Sequence, residues 1–197
     1  QQQSYPQTQQ GGFQQNFNVA GKNISVPVYF VEHEHHFFRY GYYGDGSQAY
    51  PDNASRFGFF SKAVLQICRA LDWTPDIFHS NDWHTALVPF YLKQTQLENA
   101  DFIKSRSLLT IHNAGYQGGA PGTFRHSLGI PLENFVLEMF EDHGHLNLLK
   151  GGINFADQVN TVSPGYAEEL RTPLGSHGLH ETYLRKGKNF SGILNGC

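Results

Sequence analysis

The stretch FHSNDWHTALVP, residues 78–89, places five polar or aromatic side chains in a bend between two apolar segments. Residues 76–78 before the bend predict a short strand, and residues 85–94 after it predict a helix. The side chains in the bend are His79, Asn81, Asp82, Trp83 and His84. A strand that turns into a helix is the unit from which parallel sheets are built. The stretch therefore predicts an α/β fold with hydrogen-bonding groups at the carboxyl end of a strand.

The same alternation of strands and helices continues along the chain. Further strands are predicted at residues 26–31, 107–111, 158–162 and 191–194, and further helices from Asp52 or Asn53 to Leu71 and at residues 132–140, 147–155 and 164–170. Short strands that are apolar throughout are typical of a parallel sheet buried on both faces. We therefore expect a parallel sheet with helices on both faces.

Composition narrows the class of protein. The chain has 197 residues, of which 39% are hydrophobic and 16% charged, and its formal net charge is -3. This balance suits a soluble globular protein and argues against nucleic acid or an anionic membrane as the partner. The apolar runs are far shorter than the roughly 18 residues of a spanning helix. With only Cys68 and Cys197, a disulfide framework is not expected, and a reducing compartment fits.

The amino-terminal segment differs from the rest of the chain. Residues 1–15 contain eight glutamines, and we expect residues 1–16 to form a flexible lead or a loop. Order is expected to begin at Phe17, so that residues 17–197 form one partial domain.

Polar residues follow every predicted strand in the second half of the chain. His112 and Asn113 follow residues 107–111, Ser163 follows residues 158–162, and Asn195 and Gly196 follow residues 191–194. In an open parallel sheet, ligands bind beyond the carboxyl ends of the strands. Amide, carboxylate and imidazole groups bind hydroxyls, and an indole packs on the C–H face of a sugar. These residue types therefore favour a carbohydrate site.

Two structural interpretations remain open at this point. An Asp or Asn at a strand-to-helix bend often only caps the helix, which applies to Asp82. A histidine such as His112 is often a hydrogen-bonded core residue.

The tract His33-Glu34-His35-His36 resembles a metal-binding run, with His33 and His35 on one side of an extended chain. No second cluster at a zinc-site spacing accompanies it, so no metal is expected. His143, His145, His177 and His180 are expected in loops.

Four motifs in order carry a resemblance to a known family. FHSNDWHTALVPFYLK, LLTIHNAGYQGG, LLKGGINFADQVNTVSPGYAEEL and FSGILNGC together resemble bacterial glycogen synthases and plant or algal starch synthases, and YPDNASRFGFFSKAVL at residues 50–65 resembles the segment before the first motif. The resemblance extends from about Val26 to Cys197. It implies the GT-B architecture, in which two Rossmann-like domains face each other, and this chain resembles part of the N-terminal, acceptor-side domain.

The resemblance also implies an activity. Such synthases transfer glucose from ADP-glucose to the non-reducing end of an α-1,4-glucan, with retention and without a further cofactor. It implies His112 as the catalytic residue, His112, Asn195 and Gly196 near the donor sugar, and Asp82, Trp83, His84, Tyr43 and Tyr116 on the acceptor side. The implied location is the bacterial cytoplasm or the plastid stroma.

The chain departs from the family pattern in several places. The Lys-Thr-Gly-Gly-Leu segment and the C-terminal nucleotide-binding domain, with the groups that hold the diphosphate, are expected outside this sequence. Asn81 stands where many bacterial members have His, and Ala114-Gly115 replaces Leu-Ala. We expect the chain to be inactive alone. The alternatives are a non-catalytic glucan-binding module and a related GT-B transferase that uses UDP-glucose, such as a sucrose-type synthase.

Overall fold

The computed structural model describes residues 13–19, 21–98 and 101–196. The chain divides into two compact units, one ending at Gln48 and the other beginning at Ala49, and each is described by itself. Residues 1–12 of the glutamine-rich segment and Cys197 lie outside the described residues.

The first unit contains an antiparallel hairpin that the sequence did not predict. Strand β1 (Phe13–Val19) pairs with β2 (Lys22–Val28), and Gly21 turns the chain with a φ of 77°. The prediction of a flexible lead is wrong for residues 13–16, because backbone pairing orders them in β1. The prediction of a buried strand at residues 26–31 is also wrong. The strand ends at Val28 and Val26 is 41% exposed, since a two-stranded ribbon buries little of either face.

The histidine tract is helical rather than extended. Helix α1 (Glu34–Phe37) begins after His33, whose Nδ1 accepts a hydrogen bond from the backbone N–H of His36 at 3.3 Å. The rings of His33 and His36 stack with their centroids 4.5 Å apart. The expected alternation of His33 and His35 along an extended chain is therefore wrong, because a local cap hydrogen bond favours a turn of helix.

The second unit is the α/β domain that the sequence predicts. Its elements in chain order are α2 (Asn53–Ala70), β3 (Ile77–Asn81), α3 (Leu87–Glu98), β4 (Arg106–Ile111), β5 (Gly119–Pro121), α4 (Arg125–Leu128), β6 (Glu141–Asp142), β7 (His145–Asn147), α5 (Leu148–Phe155), β8 (Gln158–Thr161), α6 (Pro164–Leu170), α7 (His180–Lys186) and β9 (Phe190–Gly192). Short 3-10 turns occupy Trp83–Thr85, Gly122–Phe124, Leu132–Asn134 and Gly187–Asn189. No helix in the described part of the chain combines the length and apolarity needed to cross a membrane.

The main sheet is parallel, with the strand order β3-β4-β8-β9. Sheet order follows chain order, so right-handed crossovers place the connecting helices on one face. The strand residues in the apolar core come from that face, namely Phe78, Leu109, Ile111, Val159 and Phe190. On the opposite face Ile77, His79, Gln158 and Ser191 are exposed. The Rossmann-like parallel sheet is confirmed. In the described part of residues 49–196 the core lies on one helical face, so the expectation of helices on both faces is not met within these residues, because the crossovers all run in one direction.

Several element boundaries differ from the prediction. Strand β3 continues to Asn81, which pairs with Thr110 of β4, so the bend is limited to residues 82–85. Residues 132–140, predicted as a helix, form only a 3-10 turn at Leu132–Asn134. Phe140 is fully buried and packs so closely on Gly151 of α5 that a Cβ there would clash with its ring. Tertiary packing outweighs helix periodicity in this segment.

The sequence predicts helices α2, α5 and α6 correctly, and the structure shows a side-chain cap at the start of two of them. The side chain of Asn147 accepts from Lys150 N at 3.0 Å, and Ser163 Oγ accepts from Tyr166 N at 3.0 Å before Pro164. Helix α7 and the antiparallel sheet β5-β7-β6 were not predicted. His145 and His180, expected in loops, belong to β7 and α7.

Candidate functional site

The predicted polar residues gather at the carboxyl end of the parallel sheet. Strand β3 ends at Asn81, β4 is followed by His112, and β8 is followed by Ser163. These strands are adjacent and parallel, so their ends share one edge of the sheet. Strand β3 is the first strand in the order β3-β4-β8-β9, so Asn81 and Asp82 lie at the end of an edge strand of this sheet.

Asp82 joins β3 to β4. Its Oδ1 accepts hydrogen bonds from the backbone N–H groups of His112 at 2.8 Å and Asn113 at 3.3 Å. It makes no side-chain cap bond to the 3-10 turn that follows it, so the helix-capping interpretation is wrong. Its backbone has φ 55° and ψ -173°, a conformation that residues other than glycine rarely adopt. Asp82 thus fixes the start of the loop that carries His112.

Trp83 and His84 are packed rather than open. The Trp83 indole lies 4.8 Å from the Phe57 ring centroid and contacts both apolar clusters of the domain. The backbone of Gly118, with φ 67°, approaches the indole so closely that a Cβ would clash with it. Burial lowers the pKa of His84, and the negative charge of Asp82 only partly opposes this effect. Trp83 and His84 therefore pack inward and support the bend from the side of the core.

The His112 side chain is exposed at the end of β4, so it is not a core histidine. Its Nε2 lies 3.0 Å from Oδ1 of Asn81. The following loop is tied down locally, because Asn113 Oδ1 accepts from Gly115 N at 2.9 Å and the Tyr166 hydroxyl accepts from Ala114 N at 3.1 Å. The His112 ring is held by one neighbour on an otherwise ordered loop.

Sequence reasoning missed Gln117 and His177. The Gln117 side-chain amide donates to Ala114 O and to His177 O, each at 3.0 Å, and its Oε1 accepts from Asn147 Nδ2 at 2.6 Å. Gln117 therefore connects the His112 loop to the segment before α7 and to α5. His177 has φ 51° and its ring borders Gly115. No local sequence pattern indicates the Gln117–His177 contact, since these two residues lie 60 positions apart.

The remaining predicted site residues are Tyr116, Asn195, Gly196 and Tyr43. Tyr116 is 67% exposed on the same loop. Asn195 continues from β9, donates from its backbone N–H to Val162 O at 3.3 Å, and is exposed together with Gly196. Tyr43 is 52% exposed and belongs to the first unit, so the structure places it only within that unit.

The chemistry of the cluster suits hydroxyl groups. Asn81, Asp82, His112 and Asn113 offer amide, carboxylate and imidazole groups, and Asp82 is the one carboxylate that hydrogen-bonds within this set in the described residues. Hard cations require several oxygen ligands, whereas hydroxyls accept from and donate to single groups of this kind. The arrangement can bind a polyhydroxylated ligand.

Comparisons with known proteins identify relatives of this chain. The family model described as the starch synthase catalytic domain matches residues 2–185. The chain is 44% identical to the glycogen synthase of Vibrio cholerae over 174 residues, which are 87% of this chain and 36% of that protein. It is 45% identical to the glycogen synthase of Anaeromyxobacter over 172 residues, 87% of this chain and 36% of that one.

A solved structure is similar as well. The catalytic domain of starch synthase IV from Arabidopsis thaliana, bound to ADP and acarbose, matches with a TM-score of 0.73 and 33% identity. The match covers 94% of this chain and 37% of that chain. The present chain spans about a third of the length of these relatives. On these matches, and with the expected parallel sheet in place, the chain belongs to the starch synthase catalytic domain family.

Proposed function

We propose that this chain supplies part of the acceptor-side domain of a glucan synthase. In this reaction glucose passes from ADP-glucose to the non-reducing end of an α-1,4-glucan with retention of configuration. The observation that supports it best is the joining of Asp82, Asn81 and His112 at the carboxyl ends of β3 and β4. Family membership favours glucosyl transfer, and the Arabidopsis relative was solved with ADP and acarbose.

The roles of the residues follow from charge. The leaving group is a nucleoside diphosphate, which departs when cations and hydrogen-bond donors stabilise its negative charge. In the described residues, no Lys or Arg side chain hydrogen-bonds to Asn81, Asp82, His112 or Asn113. The diphosphate-binding groups would therefore come from a second domain. His112 would bind the donor glucose and steady its positive charge in the transition state, and Asn195 and Gly196 would border the same sugar.

On the acceptor side, Asp82, Trp83, His84 and Tyr116 would form the wall beside the glucan. Trp83 and His84 would act mainly by shaping that wall, because both pack against Phe57. Tyr116, whose ring is largely exposed, is the better candidate for stacking on a sugar.

The test is transfer of labelled glucose to maltoheptaose. We expect none from the 197-residue chain. In the complete synthase that contains these residues, we expect ADP-glucose to be used and His112→Ala to reduce kcat by about 100-fold or more. His126→Ala is the matched control, because His126 is exposed on α4 and outside the cluster. Full activity of the His112→Ala synthase would contradict the proposal.

The other outcomes separate the alternatives. Glucan binding without any transfer by the complete protein would indicate a non-catalytic module. Transfer from UDP-glucose in preference to ADP-glucose would indicate a related GT-B transferase. Both measurements use the same protein and acceptor.

A further inference from the structure

Two consecutive residues at the carboxyl end of β3, Asn81 and Asp82, hold His112 in different ways. Asp82 fixes the backbone of His112 through Oδ1 at 2.8 Å, and Asn81 contacts the imidazole through its own Oδ1 at 3.0 Å. The first contact places the residue and the second restricts rotation of its ring. The two contacts are separable by mutation because they use different side chains.

We propose that Asn81 is a positioning residue that selects the tautomer and orientation of the His112 imidazole. An amide oxygen only accepts hydrogen bonds, so Nε2 of His112 has to be the donor. The neutral ring then carries its lone pair on Nδ1, and Nδ1 becomes the acceptor presented to a substrate hydroxyl. The functional meaning of this arrangement rests on the proposed role of His112 in glucosyl transfer.

The backbone of Asn81 is fixed by hydrogen bonds. Its backbone N–H donates to Thr85 Oγ1 at 2.6 Å, and the same hydroxyl donates to Asn81 O at 2.8 Å. The next residue continues the ladder, since Asp82 N donates to Thr110 O at 2.9 Å. With both backbone groups fixed, the Asn81 side chain has few conformations to lose when it binds the ring.

Stability does not require this contact. Both side chains are exposed, so either could hydrogen-bond to water at little cost. A buried pair would be explained by the need to satisfy polar groups, but this pair is not buried. The contact instead restricts a ring that would otherwise rotate freely at the end of β4. We infer that its effect is on the His112 side chain and not on folding.

The first experiment uses the 197-residue chain labelled with 15N. The ring nitrogens of His112 are expected to report the Nε2–H tautomer in the unsubstituted chain. In Asn81→Asp, the pH at which the ring titrates is expected to rise by about one unit, because a carboxylate at hydrogen-bonding distance favours the charged imidazole. Asn81→Asp preserves size and shape, so the variant is expected to fold.

Asn189→Asp is the matched control. Asn189 Oδ1 accepts from Gln158 Nε2 at 3.2 Å near the opposite end of the sheet, and its substitution adds the same charge. We expect the His112 titration to be the same in this variant and in the unsubstituted chain. An Nδ1–H ring in the unsubstituted chain, or equal behaviour of the two Asp variants, would overturn the inference.

The second experiment separates this inference from the proposed function. In the complete synthase, Asn81→Leu is expected to lower kcat by about tenfold while the KM for maltoheptaose changes by less than about twofold. Asn81→His, which supplies a ring nitrogen as an acceptor, is expected to restore most of kcat. If His112→Ala is inactive and Asn81→Leu is fully active, the positioning role is wrong and the function stands. If both variants are fully active, the proposed function fails as well.

Discussion

Each end of β4 is held by an aspartate that lies next to a neighbouring strand, Asp157 just before β8 and Asp82 just after β3, and the two aspartates differ. At the amino end, Asp157 Oδ2 accepts from the N–H of Ser107 at 2.7 Å and from its hydroxyl at 2.9 Å. Its Oδ1 pairs with Lys93 Nζ at 2.6 Å. At the carboxyl end, Asp82 Oδ1 accepts from His112 N and Asn113 N. The same backbone function is thus performed in two settings.

At the amino end of β4 both carboxylate oxygens of Asp157 accept hydrogen bonds, whereas at the carboxyl end only Oδ1 of Asp82 accepts hydrogen bonds from the described residues. Burial alone would raise the pKa of Asp157, but the hydrogen bonds from Lys93 and Ser107 outweigh it and the pKa is lowered. Asp82 has no Lys or Arg within ion-pairing distance among the described residues, and its backbone is strained at φ 55°. Strain and unsaturated polar groups concentrate where ligands bind. The comparison teaches that one end of β4 is fixed by an ion pair and hydrogen bonds, whereas the other keeps a strained residue and open polar groups, as the proposed binding role requires.

The largest effect is expected from apolar packing at the carboxyl end. Gly118→Ala would place a Cβ against the Trp83 indole at a residue with φ 67°. Overpacking costs about 1–3 kcal/mol, and the left-handed conformation adds about 1 kcal/mol. We expect the free energy of unfolding in urea to fall by about 2–4 kcal/mol.

Gly119→Ala is the control for this prediction. The neighbouring Gly119 has no positive φ, and a Cβ there meets nothing within 4 Å. Its substitution is expected to change stability by less than about 0.5 kcal/mol. Equal losses from the two variants would show that Trp83 does not order the site end of the sheet.

The fold of the second unit could be predicted because its signals are local. The three-and-four spacing of Phe57, Phe60 and Val64 identifies α2, and short apolar runs identify all four parallel strands within a few residues. The hairpin at residues 13–28 could not be found this way. Its first strand is rich in Gln and Asn and is ordered by backbone pairing, which leaves no hydrophobic period in the sequence.

The sequence could predict which strand ends carry the candidate site, but it could not predict the contacts between the side chains there. Parallel topology brings Asp82 and His112 to one edge by a general rule. The Asn81–His112 contact depends on β3 continuing to Asn81 in register with Thr110, and the sequence predicted the strand to stop at residue 78. The Gln117–His177 contact depends on folding over 60 positions. The roles assigned to these residues stay predictions.

A second prediction tests the amino end of β4, where Asp157 binds Ser107 and Lys93. Asp157→Asn removes the negative charge that pairs with Lys93 and leaves one oxygen where the carboxylate has two, so Lys93 and Ser107 can no longer each bind an oxygen of their own. We expect a loss of about 2 kcal/mol in unfolding free energy at neutral pH. Because the folded pKa of Asp157 is depressed, its contribution is complete above the unfolded value near 3.8 and declines as pH falls below it. The difference between the two proteins should therefore narrow in acid.

Asp101→Asn provides the contrast. Asp101 pairs with Arg69 at 3.0 Å, but its side chain is 53% exposed, so the pair is screened by water. A loss below about 0.5 kcal/mol is expected from urea unfolding. A larger loss at Asp101 than at Asp157 would mean that the network around Ser107 contributes no special stability.

The smallest effect concerns strain at Asp82. Asp82→Ala loses the hydrogen bonds to His112 and Asn113 and keeps a side chain at φ 55°, whereas Asp82→Gly loses the same bonds and relieves the strain. Strain of about 1–3 kcal/mol is partly offset by the greater freedom of glycine in the unfolded chain, which costs about 0.5–1 kcal/mol. The Gly variant should therefore be more stable than the Ala variant by about 1 kcal/mol in urea unfolding. Amide hydrogen exchange at His112 and Asn113 should accelerate in both variants, because the carboxylate that protects these N–H groups is gone. If the Ala variant were the more stable one, the bend after β3 would not be strained, and the carboxyl end of β4 would differ from the amino end only in its charges.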